Sequence, residues 1–137
     1  RPYKFRGHTY MDAGLVDMIP IEQSIRQGNT KHVFISTKEE NYVRKPAPGW
    51  QIQLAKLMYP GNKTIRENLK IRHINYQKQW QIVKELEEQG NAIVLRPSAD
   101  YGVTRYTHDK ELLGRWFDLG YEDTKNRLDM IREFMEK

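Results

Sequence analysis

Between Gly61 and Gly90 the chain carries neither proline nor glycine, and this uninterrupted stretch narrows the fold more than any other feature. Ile65, Leu69, Tyr76, Trp80 and Val83 recur along it at near-helical spacing. That periodicity predicts one amphipathic helix over about 64–89, with an apolar stripe that needs a partner. Pro60-Gly61-Asn62 separates it from a shorter helix over 50–59, where Ile52, Leu54, Ala55, Leu57 and Met58 are apolar, and Gly90 supplies the stop.

Around this helical middle lie two short runs of strand character. His32-Val33-Phe34-Ile35-Ser36-Thr37 is β-branched and aromatic, and Asn91-Ala92-Ile93-Val94-Leu95 is apolar and closed by Pro97. Both read as buried strands. Residues 20–28 read as a short helix, with Pro20 suited to the first turn, Glu22 near the positive helix end and Gly28 as a left-handed stop. Thr9-Tyr10-Met11 could end a strand ahead of it. Strand, helix, strand is the βαβ order, which implies a parallel sheet. The charged segment 38–48, with Pro46 and Pro48, is the best boundary, and the character beyond it is mostly helical. After a loop over 100–106, Thr107 or Asp109 can cap a helix through Leu112, Leu113, Trp116 and Phe117, which Gly120 is expected to interrupt. Leu128, Ile131 and Met135, with Phe134 beside them, form the inner face of a last helix. The expected class is α/β.

Composition excludes several functions. The 137 residues fit one compact domain or two small lobes. Cysteine is absent, so disulfides, thiolate nucleophiles and thiolate metal sites are ruled out. No window approaches the apolar length of a membrane span. The first residues, Arg1-Pro2-Tyr3-Lys4-Phe5-Arg6, lack the apolar core of a signal peptide. A formal charge of +5 favours anionic partners. No nucleic-acid module accompanies it, so nucleic acid is not the expected partner.

Chemistry concentrates in Tyr10-Met11-Asp12-Ala13-Gly14-Leu15-Val16-Asp17-Met18-Ile19-Pro20-Ile21. An acidic residue follows a strand end, and two small residues then permit a tight turn before a helix. At the carboxyl end of a parallel strand such an Asp can point into a ligand site. On the residues alone, though, the turn former is the favoured reading of Asp12, because Asp readily bonds to its own backbone.

The run Asp12 to Glu22 resembles the D-G-[GA] block of the patatin-like phospholipases, in which a P-x-P follows: Met18 stands at the first of those prolines and Pro20 at the second. Arg96-Pro97, Leu112-Leu113, Trp116-Phe117 and Leu119-Gly120-Tyr121-Glu122-Asp123 resemble the tail of one bacterial branch of that family. Ala13 departs from the pattern, since Gly is commoner there, and it would be strained only if the turn needs a positive φ. The resemblance implies a fold in which 1–45 form the C-terminal βαβ part of a patatin-like parallel-sheet core. Residues 46–137 are then a mainly helical extension with one extra strand. It also implies a Ser–Asp dyad that hydrolyses lipid esters, with Asp12 as the catalytic carboxylate and Gly14 shaping its loop. The nucleophile belongs to a G-x-S-x-G elbow and the oxyanion donors to a Gly-rich loop. Neither occurs here, since Ser24, Ser36 and Ser98 all lie outside such a motif. The chain is therefore expected to be the C-terminal part of a longer enzyme and inactive alone. The resemblance implies no cofactor and no metal, a lipid ester as substrate, and a cytoplasmic site with peripheral contact to anionic membrane. A non-catalytic module binding anionic membrane or a protein partner is the alternative.

His8, His32, His73 and His108 show no metal-ligand spacing. Lys63, Arg66, Lys70, Arg72, Lys78 and Lys84 make the long helix basic, which reads as a solvated face or as a surface attracted to anionic lipid. Trp50, Trp80 and Trp116 are expected to fill cores, with an interfacial place near the acyl pocket as the alternative for Trp50.

Overall fold

The computed structural model describes residues 2–136, so Arg1 and Lys137, the outer ends of the two expected domains, lie outside the described residues. The chain is mixed α/β. Strands β1 (Tyr3–Phe5) and β2 (His8–Tyr10) precede a 3-10 turn (Ala13–Leu15) and α1 (Ile21–Arg26). Then follow β3 (His32–Ile35), α2 (Gly49–Met58), α3 (Lys63–Glu88), β4 (Ala92–Leu95), α4 (Lys110–Lys125) and α5 (Leu128–Glu136). Contacts divide it into two compact units, each assembled from two chain segments: 1–29 with 43–84, and 30–42 with 85–137. The dividing point falls within α3.

In the first unit β1 and β2 form an antiparallel hairpin, pairing Tyr3 with Tyr10 and Phe5 with His8. Its two-residue turn has Arg6 at φ 47° and Gly7 at φ 79°. Both central residues at positive φ is the turn whose twist matches the flanking strands. The helices α2 and α3 pack through Ala55, Ile65 and Leu69, with Leu15, Ile52 and Tyr59 at the margin. Asn62 starts α3 by accepting the Ile65 N–H at 3.3 Å. Arg66 braces the turn between the helices, donating at 3.4 Å to the carbonyls of Tyr59, Pro60 and Asn62. Arg66 therefore has a structural duty beyond the basic face read from sequence. Trp50 departs further from expectation: it is exposed rather than in a core.

In the second unit β3 and β4 pair in parallel, His32 opposite Ala92 through Ile35 opposite Leu95. The parallel partner of β3 is thus the strand beyond α3, while β2 belongs to a separate two-stranded sheet. The expected β2–α1–β3 unit does not form. The physical reason is local: the Arg6-Gly7 turn returns the chain at once, so β2 has an antiparallel neighbour a few residues away. All four β4 side chains are buried. His32 and Ser36 donate to Asn91 and Leu95 carbonyls, so the carbonyls of alternate residues face the other edge. There Arg127 satisfies Val94, donating from its guanidinium at 3.0 Å. Asp109 caps α4 by accepting the N–H groups of Glu111 at 3.0 Å and Leu112 at 3.1 Å. The helix then runs unbroken through Gly120, contrary to the expected interruption. A helical glycine costs only about 1 kcal/mol, which its neighbours can offset. Among the described residues no helix is long and apolar enough to cross a membrane.

Candidate functional site

The turn at Asp12 follows directly from its residue types. Asp12 sits at φ −51°, ψ 125° as the N-terminal cap of the 3-10 turn, where an extended residue with a short acceptor side chain is favoured. Its Oδ1 accepts the Gly14 N–H at 2.7 Å, and its own carbonyl accepts the Leu15 N–H at 3.2 Å. A side chain at Gly14 would press on the Asp12 carboxylate rather than meet any constraint of handedness. A Cβ there would stand 2.8 Å from Asp12 Oδ1 and 3.5 Å from the Arg72 guanidinium. Ala13 does not have a positive φ, so the departure from Gly at that position is unstrained.

The loop that follows is pinned from α3. The Gln79 amide donates to Asp17 Oδ1 at 2.7 Å, and its oxygen accepts the Ile19 N–H at 3.2 Å. Gln79 is buried, and so is Ile19. Sequence reading missed Gln79. The available signal was its place three residues after Tyr76 and four before Val83, on the apolar stripe, where a polar side chain needs a partner. Arg72, read as part of a basic face, lies instead half-buried against the Asp12–Gly14 turn.

The turn thus holds an exposed carboxylate with one oxygen committed to the backbone. Such a group can orient or accept a proton through its second oxygen. Its strand context differs from expectation, since β2 pairs antiparallel with β1 and not within a parallel sheet. Among the described residues no hydrogen bond joins Asp12 to a hydroxyl. Ser24 Oγ accepts from Asn29 at 3.2 Å. Ser36 Oγ closes on Lys38, accepting its N–H at 3.0 Å and donating to its carbonyl at 2.8 Å. The backbone of Ser98 donates to Asp123 at 2.8 Å. Among the described residues no three His, Asp or Glu side chains gather as a metal site would need.

The second unit has a different kind of feature, an apolar cleft of about 290 Å³ lined by Ile35, Leu95, Leu113, Trp116 and Phe117. Beside it lies a polar cleft of about 280 Å³ shared by Glu40, Arg96, Asp123 and Arg127. Arg96 is held there by Glu87 at 3.2 Å and Glu40 at 3.6 Å. Of the tail residues singled out from sequence, Arg96, Pro97, Leu113, Trp116, Phe117, Gly120 and Asp123 meet around these two clefts.

Residues 62–136 match the family described as Domain of unknown function (DUF6363). No curated protein and no solved structure matches the chain. The matched range takes in α3, β4, α4 and α5, and leaves Asp12 outside it.

Proposed function

We propose, for a chain that belongs to the DUF6363 family, the role of the C-terminal part of a patatin-like serine lipid acyl hydrolase. In this reading Asp12 serves a serine hydroxyl that another stretch of polypeptide provides. The finer fold assignment, with 1–45 as the end of a patatin-like core and 46–137 as its extension, belongs to the same proposal, without the β2–α1–β3 unit and with β4 of the extension pairing with β3 of the core. So does a cytoplasmic location with peripheral membrane contact. The observation that supports it is the Asp12 carboxylate, exposed, with one oxygen bonded to the Gly14 N–H, on a turn whose following loop is held by Gln79. A carboxylate fixed by one oxygen keeps the other for a hydroxyl.

The chemistry then needs no group beyond the polypeptide and water. The serine oxygen attacks the ester carbonyl carbon as its proton passes to Asp12. Backbone N–H groups of a Gly-rich loop on that other stretch of polypeptide hold the oxyanion. Collapse breaks the bond to the alcohol, which leaves with that proton, and an acyl-serine remains. Water, deprotonated in turn by Asp12, hydrolyses it to the free acid. The 137-residue chain alone should not turn over a p-nitrophenyl ester. Joined to its upstream segment it should, and Asp12→Asn should lower kcat about 10²- to 10⁴-fold. Unchanged kcat in that variant would remove Asp12 from the reaction.

The family range favours a second reading, a non-catalytic binding module. The matched residues include much of the apolar cleft and none of the Asp12 turn. Under that reading Asp12→Asn leaves every activity intact, whereas filling the cleft with Gly120→Trp abolishes capture of the partner.

A further inference from the structure

The helix α2 is apolar on two opposite sides. Ile52, Ala55 and Tyr59 turn inward to Ile65 and Leu69. At 3.6 residues per turn, positions 50, 54, 57 and 58 fall together in an arc of about 100° on the other side. There Trp50 is 64% exposed, Leu54 46%, Leu57 79% and Met58 58%. A helix that is apolar all round is normally buried. Four large apolar side chains in one stripe mark a surface made to be covered.

Charge says what covers it. The unit that contains α2 carries thirteen Lys and Arg against four Asp and Glu, a formal +9, whereas the other unit carries ten against fourteen, a formal −4. In the segment 43–84 the sole acidic residue is Glu67. Lys45, Lys56, Lys70 and Lys78 are exposed. Two copies meeting through α2 would bring +9 against +9, which opposes a dimer. An anionic bilayer meets both demands: its headgroups attract the cations, and its acyl boundary takes Trp and Leu side chains.

We infer that α2 is a membrane-docking helix that inserts Trp50, Leu54, Leu57 and Met58 into an anionic lipid surface. The basic α3 is then an electrostatic support, and the apolar contact comes from the shorter helix before it. The inference rests on the surface of this unit alone and stands whether or not Asp12 acts on a hydroxyl. Vesicle binding and ester turnover can therefore fail separately.

Co-sedimentation of the 137-residue chain with phosphatidylcholine vesicles, with and without phosphatidylserine, tests it. The chain should bind the phosphatidylserine vesicles, lose that binding steeply with added salt, and bind phosphatidylcholine alone at least about tenfold more weakly. Leu57→Asp should lower binding by about tenfold or more. Trp50→Gln, at a second exposed position, guards against a folding failure, and circular dichroism should be unchanged in both. Binding that ignores phosphatidylserine, binding that survives both substitutions, absence of binding, or a dimer that Leu57→Asp dissociates would each overturn the inference.

Discussion

The unit built from 1–29 and 43–84 and the unit built from 30–42 and 85–137 answer the same problem differently. The first is strongly basic, holds its core through helix packing and an antiparallel hairpin, and keeps a carboxylate on an exposed turn. The second is acidic, is organised on a parallel strand pair and gathers its polar side chains around a cleft. In the first, a buried amide from α3 fixes a loop whose tip remains solvated. In the second, charged side chains fasten the sheet itself: Arg127 closes the β4 edge at Val94. The lesson is a division of labour. The polar network of the first unit positions one loop, and that of the second holds up a strand. The proposed chemistry and the proposed membrane contact both fall in the first unit, and the family match mostly covers α3 together with the second.

The sharpest way to break that division is to substitute each unit in the proposed acyl hydrolase, with this chain joined to a polypeptide that supplies the serine. Asp12→Asn should cost about 10²- to 10⁴-fold in kcat while leaving the thermal midpoint in place. Equal kinetic loss from Arg127→Met would mean that the second unit shares the chemistry. Next in size, Val94→Ala should destabilise the second unit by about 2 kcal/mol, since Val94 is 1% exposed and its loss leaves a cavity. Denaturant unfolding reads this directly. Gln79→Ala should cost about 1–3 kcal/mol, because Asp17 and the Ile19 N–H both lose a partner. Faster amide exchange should then be confined to the loop after Asp12; exchange spreading through β4 would erase the distinction between the units. The smallest effect expected is that of Leu57→Asp on stability, within about 0.5 kcal/mol, as that side chain is 79% exposed. A larger cost would mean that α2 is already covered.

Elements bounded by backbone chemistry were legible in the sequence. Pro60-Gly61-Asn62 and Gly90 delimit α3, Gly28 at φ 84° stops α1, and Asp109 caps α4. These signals act within a few residues, so one sequence contains them. Pairing was not legible. Arg6 at φ 47° gave no turn signal of the Asn-Gly kind, so the hairpin passed unseen and β2 was assigned to the wrong sheet. Strand partnership depends on which edges meet, which periodicity does not encode. Trp50 illustrates the same gap: an apolar helix shows how much must be covered, and only the packing shows which side the chain covers itself. At the candidate site, Asp12 and Gly14 could be picked from the turn chemistry and the resemblance. Gln79 and Arg72 reach that region across more than fifty residues of chain, so their contributions depended on the fold.

The central claim is that the Asp12 carboxylate activates a serine on an adjoining stretch of polypeptide. Fluorophosphonate labelling measures that activation without choosing a lipid. The rate of serine modification should be followed in a polypeptide that joins this chain to the proposed serine-bearing segment, with Asp12 intact and as Asp12→Asn. The account predicts rapid labelling of one serine with Asp12 present and a rate at least about a hundredfold lower after the substitution. Labelling at the same rate in both, or no labelling in either, would contradict it.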